Sequence, residues 1–324
     1  MNKKLLCLLY LMIIFLLITS CVTKEVKEPE TINFCFREGI PALTVVKLMK
    51  EAPTIDENIS ISYEIQKSPD LLITQILKEE ADIAIVPSNL AAQAFNKGLS
   101  YKLAGTSSWG TLYLASTEDI KDFQELKNKE IYSFGKGLTP DLVLRLILSE
   151  NGIIPDEDLK ITYLNAASDV GPIFISGKAD IALLAEPLAT NVMMKKENTR
   201  IIYDLNEEWS KITGADKGYP QASLIIKADL IENNPDFVKE FINIYEESIQ
   251  WAKDNPEKLG DYAEELELGV KKETIVEGIE RINIGSFPIN NSKREYQIYF
   301  EAIMDFSPDF IGGKLPDEEI YFER

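Results

Sequence analysis

The stretch ADIAIVPSNLAA, Ala81 to Ala92, returns ninety-eight residues later as ADIALLAEPLAT, Ala179 to Thr190, with six of twelve positions identical. The same offset holds upstream, where FREGIPALTVVKLMKE from Phe36 lies over FGKGLTPDLVLRLILSE from Phe134, pairing Gly39 with Gly137 and Lys47 with Arg145. Between these anchors ISYEIQKSPDLLITQILKEEADIA lies over ITYLNAASDVGPIFISGKADIA after a two-residue slip. In each copy short apolar runs (INFCF, ISYEI, DIAIV; IYSF, KITYL, DIALL) alternate with segments whose apolar residues recur every three to four positions, such as Val45, Leu48 and Met49 or Leu142, Leu146 and Ile147. Runs of the first kind are strands and those of the second are helices. Strand and helix in alternation imply a parallel sheet with crossover helices, once per copy. The expected fold is therefore α/β, with two lobes of mainly parallel sheets and flanking helices.

The segments outside the copies say how the lobes are joined. Tyr101–Gly105 and Trp109–Ala115 read as strands around a polar turn, Thr106-Ser107-Ser108, and Gln221–Ile226 reads as a strand that brings the chain back. Two crossings make a hinge, which divides the chain into a first lobe (31–115 plus 221–324) and a second lobe (116–220). Helical patterns at Pro235–Lys253, Asn255–Ala263, Lys271–Ile282 and Ser292–Met304 are expected to pack on the first lobe. The last stretch, Phe306 to Arg324, is acidic and interrupted by Gly312-Gly313 and Pro316.

The N-terminus, MNKKLLCLLYLMIIFLLITSC, has a basic head, an apolar run from Leu5 to Ile18 and small residues before Cys21. That run is too short for a bilayer, which needs roughly twenty residues, so residues 1–20 read as an export signal. Cys21, after small residues, is placed for acylation, and 21–30 reads as a charged tether. Loss of Lys3 and Lys4 with the signal takes the formal charge from −19 to about −21. Such acidity argues against nucleic acid and against adhesion to anionic lipid. With Cys7 and Cys21 so assigned, Cys35 stands alone and no disulfide framework exists within one chain. The sequence contains no histidine. Nucleophilic devices that need one are excluded, as are zinc sites of the usual His and Cys kind, which shifts the expectation from catalysis to binding.

In an open parallel sheet, ligands bind at the turns leaving the carboxyl ends of the strands. Here those turns are Arg37–Pro41, Lys67–Asp70 with Ser68, and Pro87-Ser88-Asn89 in the first copy. The second copy supplies Gly135–Asp141, Ala166–Asp169 with Ser168, and Ala185-Glu186-Pro187. Several open a helix with Ser, Thr, Asn or Asp near the cap and Pro in the first turn. Helix starts of this kind attract acceptor atoms.

Cys21 with its preceding small residues, the tether, the paired lobes, the ADIA phrase, Glu186-Pro187 after its second occurrence, and ASLIIKADLIENNPDFVKEFINIYEESIQWAKDNPE together resemble a substrate-binding lipoprotein of an ABC importer. The likeness is to the type II periplasmic binding fold and, within it, to the group serving nitrate, sulfonate, taurine and thiamine-pyrimidine transport (NMT1/THI5-like), over about residues 32 to 285. The resemblance implies a monomeric clamshell, without cofactor or metal, lipid-anchored outside the cytoplasm of a bacterium. It would close on one small solute (a sulfonate, a nitrate-like anion, an amine or a pyrimidine) and hand it to a permease driven by an ATPase. An extracytoplasmic sensor on the same clamshell is the alternative; an enzyme of this fold would be expected to carry histidine and a cysteine-rich motif, and neither is present. Carried over, the binding turns fall on Arg37, Gly39, Ile40 and Pro41, on Ser88 and Asn89, on Gly137, Leu138 and Thr139, on Ser168 and Asp169, and on Glu186. Gly39 and Gly137 would let backbone NH groups approach the solute, and Ser88, Asn89 and Thr139 would offer neutral hydrogen bonds. Ser68 and Ser107 complete the candidate hydroxyls. Arg37 and Lys136 either add charge or are solvated lip residues. Glu186 either accepts from an NH of the solute or caps the following helix, and Trp109 and Tyr219 either stack on a flat solute or pack at the hinge.

Overall fold

The computed structural model describes residues 30–323; the leader, Cys21 and the tether up to residue 29 lie outside the described residues, and Glu30, expected in the tether, begins the first strand. Two sheets organise the chain. The first contains β1 (Glu30–Arg37), β2 (Ile59–Gln66), β3 (Ile83–Pro87) and β4 (Tyr101–Trp109). The second contains β5 (Leu112–Ser116), β6 (Glu130–Phe134), β7 (Lys160–Leu164), β8 (Ile181–Ala185) and β9 (Arg200–Asp204). The chain then returns to the first sheet as β10 (Pro220–Lys227) and β11 (Ile284–Pro288). Strand order is β11-β4-β10-β3-β1-β2 in the first sheet and β7-β6-β8-β5-β9 in the second.

The duplicated segments form the parallel part of each sheet, β1 between β2 and β3, and β6 between β7 and β8. The crossing strands run the other way. β10 pairs antiparallel with β3 and β4, and β5 pairs antiparallel with β8 and β9, so both sheets are mixed. The reason is directional, since a strand that carries the chain out of one lobe lies beside one that brings it back.

Two expectations change here. Thr106-Ser107-Ser108 is not a turn but the buried end of β4, because its hydroxyls find distant partners: Ser107 Oγ donates to Ala222 O (3.1 Å) and Thr106 Oγ1 to the Tyr296 hydroxyl (3.0 Å). Leu112–Ser116, expected in the first lobe, is hydrogen-bonded within the second sheet, so the crossing lies at Gly110-Thr111.

The first sheet is buried on both faces. Along β1 alternate side chains serve different cores, Phe34 and Phe36 on one side and Cys35 on the other. Phe34 meets Phe36, Phe241 and Tyr245 edge-on at ring separations of 5.1, 5.4 and 6.3 Å, contacts worth about 0.5–1.5 kcal/mol each beyond their buried area. Phe241 and Tyr245 belong to the helix Pro235–Asp254, whose stripe of Phe237, Val238, Phe241, Ile242, Tyr245 and Ile249 lies on this sheet at helical spacing. Helices Pro256–Glu265 and Lys272–Ile282 extend the same core. The helix Lys293–Phe306 does more than pack on the first lobe. Its Tyr296, Tyr299, Phe300 and Ile303 join a cluster that includes Leu142 and Ile147 of the second-copy helix Thr139–Glu150. Among the described residues no helix is long and apolar enough to cross a membrane.

Candidate functional site

β1 delivers Arg37 to the carboxyl edge of the first sheet, where Glu38 N–H donates to Gln66 O (3.2 Å) and ends the strand. Gly39 then turns the chain with φ +88°, a left-handed conformation natural to glycine, and nothing lies within 4 Å of where a Cβ would stand. Arg37, Gly39, Ile40 and Pro41 form one wall of a cleft of about 300 Å³; Thr111 at the crossing and Glu186-Pro187 after β8 form the other. A second compartment of about 400 Å³ opens beside it, shares Arg37, Leu72, Pro87 and Gln221 with the first, and reaches Asn89, Leu138, Thr139 and Phe310.

Two polar atoms at the junction are unsatisfied. Arg37 Nε and Gln221 Oε1 are buried and without a hydrogen-bond partner among the described residues, where Arg37 also forms no ion pair. A buried donor or acceptor left unmade costs about 1–3 kcal/mol, more for a charged group, and these two belong to residues that line both compartments, where a polar group entering the cleft could meet them. Gln221 is an acceptor as it stands and a donor after a half-turn of its amide.

The remaining candidates divide sharply. Asn89, Leu138 and Thr139 line the second compartment, with Thr139 Oγ1 2.8 Å from the Tyr299 hydroxyl. Ser88 is fully buried behind the cleft floor, its Oγ 2.7 Å from Ser223 Oγ, which in turn lies 2.7 Å from the Tyr296 hydroxyl, a phenol that burial pushes up to about 12. Ser88 therefore lines neither compartment, because the first residue of its helix points inward to Ser223. Ser107 is buried in β4, and its neighbour Ser108 takes the place at the cleft. Ser68 caps the helix Pro69–Leu77 by accepting from Leu71 N–H (3.3 Å), outside both compartments.

In the second copy, Gly137 lines neither compartment, and its amide donates to Asp141 Oδ2 (2.7 Å). Asp141 is itself buried and held by Arg145 Nε (2.7 Å) and the Tyr163 hydroxyl. Lys136 stands over the Tyr163 ring, 5.5 Å from its centroid, away from the cleft. Ser168 is exposed, and Asp169 accepts from Ala166 N–H (3.1 Å) as a helix cap. Glu186 does reach the cleft wall, but its carboxylate is engaged: Thr190 donates from N (3.1 Å) and from Oγ1 (2.8 Å), and Arg281 Nε donates at 2.9 Å. Of the two readings of Glu186, the helix cap is the one observed.

Trp109 and Tyr219 are buried at the crossing, not displayed to a solute. The Tyr219 ring packs 5.5 Å from Trp209 and 6.3 Å from Tyr299, and Lys217 lies 6.0 Å from the Trp109 centroid. Cleft-lining residues that sequence reasoning missed include Gln221, Thr111, Ser108 and Leu72. Gln221 is the second residue of β10 and Thr111 sits in a two-residue link, positions that carry no motif. No group of three His, Cys, Asp or Glu side chains among the described residues is placed to hold a metal ion.

Known proteins share this fold. An ABC transporter structure from Parabacteroides distasonis is 27% identical, with 91% of this chain and 99% of that chain covered and a TM-score of 0.77. The periplasmic aliphatic sulphonate binding protein SsuA of Escherichia coli has the same fold at 15% identity, covering 85% of this chain and 88% of its own with a TM-score of 0.67. YtlA of Bacillus subtilis (strain 168) is 24% identical over 272 residues, 81% of this chain and 77% of its own length. The family described as NMT1/THI5 like matches residues 55–259, more than half of the sequence, and the chain belongs to that family.

Proposed function

We propose that the chain is the solute receptor of an ABC importer and that its solute is a small organic anion whose oxyanion head is held at Arg37. The observation that carries the reading is the buried, unpartnered Arg37 Nε at the point where the two compartments meet. A guanidinium is suited to an oxyanion because its donors lie in one plane and at fixed spacing. Gln221 lines the same two compartments and offers a second hydrogen bond, and the helix Ser88–Asn96 follows Pro87, also a lining residue, with no acidic residue in its first turn. Glu186 does not repel an anion here, since Arg281 neutralises it. The relatives support both halves of the proposal, as SsuA is an aliphatic sulphonate binding protein and the Parabacteroides distasonis structure is that of an ABC transporter. The role is capture and handover, with the solute chemically unchanged.

Calorimetric titration with short alkanesulfonates tests this. Replacing Arg37 by Ala removes a charge-assisted hydrogen bond of about 1.5–3 kcal/mol and is expected to weaken binding by roughly 10- to 100-fold, with the melting temperature within a few degrees of wild type. Equal affinities for the two proteins would take Arg37 out of the site. In the same reading Cys21 carries the lipid that tethers the receptor to a bacterial membrane outside the cytoplasm, so Cys21→Ala is expected to move the protein from the membrane fraction to the soluble one.

A further inference from the structure

The C-terminal stretch after the helix Lys293–Phe306 has no role in the functional reading above, yet it is fastened with care. Along one face of the helix Ser88–Asn96 three amide side chains, Asn89, Gln93 and Asn96, follow one another at i, i+4 and i+7. Each donates to a main-chain carbonyl of the C-terminal stretch: Asn89 Nδ2 to Phe310 O (3.4 Å), Gln93 Nε2 to Asp309 O (3.1 Å), and Asn96 Nδ2 to Ile311 O and to Lys314 O (2.7 Å). Ile311 is fully buried beneath them. Gly312, at φ +81°, passes so close that a Cβ would stand 3.0 Å from the Asn96 Cβ. What the fastening holds in place is the half-buried Phe310, which lines the second compartment together with Leu72, Ile73 and Leu138.

Resting on the reading of Arg37 as the anion's anchor, we propose that the second compartment takes a hydrocarbon tail of the same solute, and that Phe310 is the stop that sets how long this tail can be. The solute class is then an oxyanion-headed molecule, sulfonate or carboxylate, with an unbranched apolar chain. Three features lead there. The compartment begins at Arg37 and Gln221, so a head held by them points its substituent into it. Its walls beyond that point are mostly hydrocarbon, contributed by both copies and by Phe310. Phe310 itself is held twice, through its backbone by the amide ladder and through its ring by packing against the core cluster, which fixes it as a wall.

The test is a homologous series of n-alkanesulfonates, and the matching carboxylates, titrated calorimetrically into the wild-type protein and into Phe310→Ala, Leu138→Trp and Arg37→Ala. For wild type, affinity should rise about fourfold per methylene, the worth of one buried CH₂, up to a limiting length and then fall. Phe310→Ala should move that limit to longer chains and leave the shortest members unchanged. Leu138→Trp, at a position 45% exposed and so tolerant of a larger side chain, should move it to shorter ones. Whichever head group binds more tightly across the series identifies the oxyanion. If Arg37→Ala weakens every member while neither wall variant moves the limit, the stop is overturned and the anion anchor stands. If no member binds the wild-type protein, the anchor fails and the stop with it.

Discussion

The two copies of the repeated unit fold alike and spend their strand-end turns differently. In the first copy Arg37 and the Gly39 turn face the cleft with a guanidinium nitrogen unpaired. Its counterpart at the offset of ninety-eight is Gly135, so the second copy brings no cation to the same place. The next turn reverses the contrast. Ser88 corresponds to Glu186, and where the serine turns inward to Ser223, the glutamate fills the start of its own helix and binds Arg281 from the C-terminal helices. The second lobe thus carries a built-in carboxylate at the position where the first leaves a helix start open. Duplication supplied the cleft; divergence at two matched positions gave it a direction.

Exchanging the matched residues is the strongest way to break that contrast. Ser88→Glu would bury a carboxylate beside Ser223 and Tyr296 with no arginine to meet it, an uncompensated charge expected to cost about 3–5 kcal/mol in denaturant unfolding. A loss under about 1 kcal/mol would mean that the two positions are interchangeable. Glu186→Ala should cost less, about 2–3 kcal/mol, because the side chain of Arg281 it leaves behind is 29% exposed and regains water. It should also leave the affinity for an anion equal or slightly tighter, which titration of the same preparation would check. Weakened anion binding in that variant would assign Glu186 a place in the site. The Arg37→Ala change described above supplies the first copy's side of the comparison, a loss of affinity with stability kept. The smallest effect is expected at Asp169→Ala, where only the cap to Ala166 N–H is removed from an exposed helix start. About 0.5–1 kcal/mol of stability should go and affinity should not change.

Much of the fold was legible because it is written locally. Strand and helix periods need only neighbouring residues, and the constant offset between the copies revealed the pair of lobes. The lining of the cleft was legible only where a residue's place could be inferred from its own turn, as with Arg37, Gly39 and Pro41. Hydroxyls misled, since Thr106, Ser107 and Ser88 look like turn and cap residues but are paid for by groups far along the chain, Tyr296, Ala222 and Ser223. Glu186 finds Arg281 across ninety-five residues, with no spacing to announce it. Gln221 carries no local mark either, and its importance comes from the cavity around it, which exists only once both sheets are in place.

The amide ladder of Asn89, Gln93 and Asn96 grips peptide carbonyls, which every residue possesses. A change of side chain at position 310 therefore leaves those main-chain contacts in place. On the proposal made above, one codon change there would reset the permitted tail length without a rebuilt pocket.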